Sequence, residues 1–224
     1  MLSLFHCTMF IPTIQVTSDE SVEKEFTRLI KMVNNNKTIL DQAIKYDQFC
    51  RDKYHSIMST ALTSVGCSLT ENGIKYVVQS SYSAEVYIDT PGDVDLDIVA
   101  LYNDDNELIR LRYVTCEMGF EYLETRNADM PHMIHYVYTK KYGMFEIELK
   151  LRFWDTYKDH LYKIHNYLDA LPAATRIAWR YIRKTVMNKD DKTKKMIKYL
   201  WYMYGAIKTG VPTNKEYFPM NIYY

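Results

Sequence analysis

The sequence predicts an α+β (or α/β) fold, with a mixed β-sheet flanked by helices and a helical C-terminal region. Three observations carry this. Apolar residues recur at helical spacing near both ends of the chain, β-rich runs are confined to the middle, and one helical pattern interrupts those runs. The expected divisions are an N-terminal helical segment over 1–70, a sheet core over 71–153 and a helical region over 154–224, together one compact unit.

The elements follow in order. "TSDESVEKEFTRLIKMV" opens on capping residues and spaces Val22, Phe26, Leu29, Ile30 and Val33 along one helical face. After "NNNK", a second helix is expected from Thr38 to about Val65. A turn at Asn72-Gly73 leads into the β-rich "IKYVVQ". "DVDLDIVALY" reads as a strand, and "NDDNELIRLRYVTCEMG" as a helix with an acidic first turn and Gly119 as its stop. "FEYLETR", "MIHYVYTK" and "MFEIELKLRF" read as three further strands. Three helices close the chain: "DTYKDHLYKIHNYLDAL", "PAATRIAWRYIRKTV" with Pro172 in its first turn, and "DDKTKKMIKYLWYMYGAIKTG".

The 224 residues include 28 basic and 28 acidic side chains, so no net field draws the chain to nucleic acid or to an anionic membrane. Four cysteines lie far apart without a CxxC pair, which fits a reducing, cytoplasmic setting better than a disulfide scaffold or a zinc cluster. The apolar start has no basic n-region and no small-residue cleavage site, so no signal peptide is expected. No apolar run reaches the roughly 18 residues of a membrane span.

Residues 93 to 98, "DVDLDI", place Asp93, Asp95 and Asp97 at alternate positions. In an extended chain such residues share a face, and their repulsion is unfavourable unless a cation sits among them. A divalent metal is one answer. A solvated edge face is the other, although the apolar continuation "IVALY" suggests a buried strand, where unpaired carboxylates are costly.

This stretch resembles the polymerase-β-type nucleotidyltransferase superfamily. There an apolar strand leads into a Gly-Ser turn, the next strand carries an Asp-hydrophobic-Asp pair, and a third acid comes from a later neighbouring strand. In this chain the turn is Ser80-Ser81, with Ser80 where the superfamily has Gly. The pair is Asp95 and Asp97, preferred over Asp93 and Asp95 because an apolar residue flanks each side. The third acid is Glu148 or Glu146 of "FEIELKLRF". A fainter likeness over residues 74 to 187 is to the GrpB-like branch, carried by "GFEYLE" and by Tyr167, Leu168 and Pro172.

The resemblance implies Mg²⁺- (or Mn²⁺-) dependent transfer of a nucleotide from a nucleoside triphosphate to a hydroxyl on RNA, a small molecule or a protein. Asp95 and Asp97 would hold the metals, Glu148 would be the third ligand and help activate the acceptor, and Ser80 and Ser81 would contact the triphosphate. Such chemistry asks a protein for charge neutralisation and alignment, hence hard carboxylate ligands. Pyrophosphate transfer, as in alarmone synthetases, is a related alternative, and a catalytically inactive binding or structural protein is another.

Arg176, Arg180, Arg183 and Lys184 share one face of their helix. They form either a basic wall for the nucleotide or RNA, with Arg176 and Arg180 as candidate nucleotide contacts, or a solvated face. Lys150 and Arg152 either neutralise Glu146 and Glu148 or contact phosphates. Tyr199, Trp201, Tyr202 and Tyr204 either stack on a base or belong to the core. His132 and His135 would face opposite ways in a strand and have no third partner, so no zinc site is expected.

Overall fold

The computed structural model describes residues 16, 18–52, 56–79, 95–126, 135–142, 145–153, 157–186 and 189–213. They form helices α1 (Asp19–Asn34), α2 (Lys37–Cys50) and α3 (Ser56–Glu71), then strands β1 (Tyr76–Gln79) and β2 (Asp95–Tyr102). Helix α4 (Asp105–Glu117) precedes β3 (Glu121–Arg126), β4 (His135–Tyr142) and β5 (Phe145–Phe153). Helices α5 (Tyr157–Asp169), α6 (Ala173–Thr185) and α7 (Asp191–Thr209) follow. The fold is mixed α+β, as the sequence predicts.

The five-stranded sheet has the order β1-β2-β5-β4-β3. β2 and β5 are parallel and the other pairs antiparallel. Alternation sorts β5 into a buried set, Ile147, Leu149 and Leu151, and a polar set, Glu146, Glu148, Lys150 and Arg152. Ile98, Ala100 and Tyr102 of β2 join the buried set in the main core, where α3 and α4 pack on β2. Val99 and Leu101 form a smaller cluster with Val77 and Tyr162 of α5, whose hydroxyl donates to the Tyr76 carbonyl at 2.7 Å. Both faces of the sheet are therefore covered near β1. That explains why "IVALY" is apolar without a break.

The helices begin and end where local chemistry dictates. Ser18 and Ser21 make a reciprocal capping box at the start of α1, and Val22, Phe26, Leu29, Ile30 and Val33 are all buried. Asp104 caps α4 by accepting from the Glu107 N–H at 2.8 Å, while Glu107 accepts from the Asn103 amide groups. Gly119 (φ 78°) and Gly73 (φ 66°) end α4 and α3 in left-handed turns, as their sequence positions suggest.

One expectation is corrected. The single helix from Thr38 to about Val65 is two helices, α2 and α3. Ala43, Tyr46, Asp47 and Cys50 of α2 are buried in the helical layer, where α2 packs on α6, whereas α3 packs on β2.

The helical layer is built from α1, α2, α5, α6 and α7 around an aromatic centre. Trp179 and Trp201 stack at 5.3 Å between centroids, Phe26 lies 5.1 Å from Trp179, and Phe26 stacks on Tyr204 at 3.8 Å. Trp201, 2% exposed, is thus core, and the half-buried Tyr199, Tyr202 and Tyr204 pack against it. α5 and α7 approach closely at Gly205, where an added Cβ would lie 3.0 Å from Ile164 Cγ2 and Leu168 Cγ. Gly205→Leu, which adds three more carbons where the first already meets these side chains, should therefore destabilise by about 1–3 kcal/mol through overpacking, read as a lower denaturant midpoint at unchanged m-value.

His165, read from sequence as an ordinary helix residue, is 5% exposed against the Tyr202 ring. Burial pushes its imidazole down to about 4. The folded chain holds the neutral form while the unfolded chain takes up a proton near pH 6.5. Stability is thus complete above pH 6.5 and falls as pH drops toward 4, by about 3 kcal/mol at roughly 1.4 kcal/mol per pKa unit. Urea titrations at pH 7 and pH 5 should show this slope, and His165→Leu should flatten it.

Candidate functional site

The site begins with register. β2 and β5 are adjacent parallel strands in one-to-one pairing, with Asp95 opposite Glu146 and Asp97 opposite Glu148. Neighbouring strands lie roughly 4.8 Å apart. Four acidic positions from two strands thus meet at the N-terminal ends of β2 and β5. On its other side Asp97 pairs with Gln79 of β1. Ser80, Ser81 and Asp93 lie outside the described residues.

Glu146 is exposed, while the Glu148 side chain is 17% exposed and held by two cations. Arg126 Nη1 and Nη2 donate to its two oxygens at 2.9 and 3.1 Å, and Lys150 Nζ lies 2.8 Å from Oε1. Arg126 Nε donates to Glu124. Partial burial pushes the Glu148 carboxyl up, but the hydrogen bonds and charges of Lys150 and Arg126 outweigh it and hold the group below its ordinary value. Arg126 reaches this acid from the far edge strand, across β4. Val137, the β4 partner of both Glu124 and Lys150, is fully buried between them.

The donor chemistry suits a hard divalent cation, since all four acidic positions offer carboxylate oxygen. The side chains of Asp95 and Asp97 lie outside the described ones; among those described, no group of three or more His, Cys, Asp or Glu is arranged to hold a metal. Binding through Glu148 would have to compete with Arg126 and Lys150.

Of the two predicted arginines, Arg180 is committed to the helical layer. Arg180, at 1% exposure, is inside the helical layer, its Nη2 2.8 Å from Asp47 of α2, which also accepts from Arg51 Nε at 2.9 Å. Arg176 is half-buried on the same helix. Farther along it, Lys184 sits 4.0 Å over the Tyr46 ring, and burial lowers the pKa of the Arg183 guanidinium. The basic stripe read from helical periodicity thus meets α2 at Arg180 and Lys184.

A cleft of about 410 Å³ opens among Gly73, Lys75, Leu101, Asn103, Glu107 and Arg110. Leu101 follows Asp95 by six strand positions, roughly 20 Å at 3.3 Å per residue, so this cleft sits at the opposite end of the sheet from the acids.

Arg126 is the residue that sequence reasoning missed. It closes the run "FEYLETR", and its charge at the strand end was the available signal. Its partner is 22 positions away on a strand it does not adjoin. No family model matches the chain, and no curated protein matches its sequence. Among the described residues, no helix is long and apolar enough to cross a membrane.

Proposed function

We propose that the chain is a metal-dependent nucleotidyltransferase, moving a nucleotide from a nucleoside triphosphate to a hydroxyl on RNA, a small molecule or a protein. The observation that supports it is the parallel register of Asp95 and Asp97 with Glu146 and Glu148. Asp95, Asp97 and Glu148 would hold Mg²⁺ or Mn²⁺, which supplies charge neutralisation of the triphosphate and alignment of its oxygens. Lys150 and Arg126 stand beside the acids as cations able to bind phosphate oxygens. Glu148, the third ligand, would also help activate the incoming hydroxyl near the metal.

A second reading is favoured by one observation. Glu148 is already neutralised by Arg126 and Lys150, as in a structural ion-pair network. On that reading the protein is a catalytically inactive member of the same fold that binds or organises a partner.

The separating experiment is incubation with each α-labelled nucleoside triphosphate, Mn²⁺ and mixed RNA, protein and small-molecule acceptors. Label in a product, lost in Asp95→Asn/Asp97→Asn, supports the enzyme. Absence of product together with absence of Mn²⁺-dependent nucleotide binding supports the inactive protein.

A further inference from the structure

We infer that Arg126 is a mobile clamp that pairs with Glu148 and moves onto the substrate's phosphates when metal and nucleotide enter together. This rests on the proposed function, and it adds an order of binding and a residue role that the acidic register alone does not contain.

The argument starts from Glu148. A carboxylate offers about four lone-pair positions. Arg126 fills one on each oxygen and Lys150 takes a further place on Oε1. A divalent cation arriving there meets a guanidinium and an ammonium within a few ångströms, at a partly buried position where like charges are poorly screened. Metal binding is therefore coupled to displacement of at least one of these cations.

Geometry selects Arg126 as the one that leaves. Lys150 is two residues from Glu148 on the same strand, with its side chain 17% exposed. Arg126 is anchored on the edge strand β3, whose other residues are all exposed, and its own side chain is 37% exposed. A long side chain on an exposed edge can swing without disturbing the core, which an arginine buried like Arg180 cannot do.

The destination follows from chemistry. The planar guanidinium fork that matches the two oxygens of Glu148 matches two oxygens of a phosphate equally well. Triphosphate brings more negative charge than the single carboxylate it replaces. Glu124, bonded to Nε, leaves the Nη face that Glu148 now occupies to meet the anion. Metal alone should thus bind weakly, because it must expel Arg126 into water. Metal with triphosphate should bind tightly, because Arg126 exchanges one anion for another.

The test is calorimetric titration of the full chain with Mn²⁺ alone and with Mn²⁺ plus inorganic tripolyphosphate, for wild type, Arg126→Gln, Arg126→Lys and Asp97→Asn. The expected result is that Arg126→Gln tightens binding of Mn²⁺ alone by tenfold or more and weakens Mn²⁺-dependent tripolyphosphate binding by tenfold or more. Arg126→Lys keeps the charge and loses the fork, so it should weaken tripolyphosphate binding without tightening Mn²⁺ as far. If wild type binds Mn²⁺ with tripolyphosphate, Asp97→Asn abolishes it, and Arg126→Gln changes neither titration or weakens Mn²⁺, the clamp is wrong and the metal site stands. If neither wild type nor Arg126→Gln binds Mn²⁺ under either condition, the metal site falls and the clamp with it.

Discussion

On the proposed transferase function, Asp97→Asn is expected to lower nucleotide transfer by about 10³-fold or more while leaving the thermal midpoint unchanged or slightly higher. Asp97 is the register partner of Glu148 across the parallel pair, so its charge serves any cation the two strands share. An amide keeps the size and one oxygen but removes the charge. The loss corresponds to about 4 kcal/mol of transition-state stabilisation at 1.36 kcal/mol per decade, within the several kcal/mol attributed to a positioned metal. The stability sign is the informative part. Asp95, Glu146 and Glu148 are the acidic positions beside Asp97 in the parallel pair, and although Arg126 and Lys150 neutralise Glu148, removing one charge from this group relieves the sheet. An aspartate serving only as a structural partner would give the opposite pattern, a lower midpoint with activity following it. Single-turnover transfer beside a melting curve separates the two.

Trp179→Ala should be the most damaging change in the helical layer, destabilising by about 3–5 kcal/mol. Trp179 is fully buried, stacks on Trp201 at 5.3 Å and lies 5.1 Å from Phe26, so truncation opens a cavity shared by α1, α6 and α7. For a chain of this size, at roughly 2–4 °C per kcal/mol, the midpoint should fall by about 10 °C. Trp179→Phe should recover much of the loss. A drop below about 1 kcal/mol, measured by denaturant titration, would mean that the aromatic stack does not hold the layer together.

The elements themselves were readable because each carries its own period. Val22, Phe26, Leu29, Ile30 and Val33 write a helix into the sequence without help from the rest of the chain, and Glu146 to Arg152 alternate as a strand must. Pairing was less readable. "DLDIVALY" and "FEIELKLRF" are about fifty positions apart, and nothing local states that they are parallel neighbours with Asp97 opposite Glu148. Only the resemblance to a known strand order suggested a later acid from a neighbouring strand. The basic stripe on α6 shows the same limit. Periodicity aligns Arg176, Arg180 and Lys184, but whether that face meets solvent or Asp47 is decided by how α2 packs, and at Arg180 it meets Asp47. The division of the second helix escaped because both halves are helical in pattern. What separates them is the destination of each buried face, the helical layer for α2 and the sheet for α3.

The most direct measurement is anomalous diffraction from crystals grown with Mn²⁺ and a non-hydrolysable nucleoside triphosphate. A manganese peak is predicted between the N-terminal ends of β2 and β5, with carboxylate oxygens from both strands at about 2.0–2.2 Å. A nucleotide seated in the Lys75–Arg110 cleft, with no peak shared by residues 95–97 and 146–148, would contradict it.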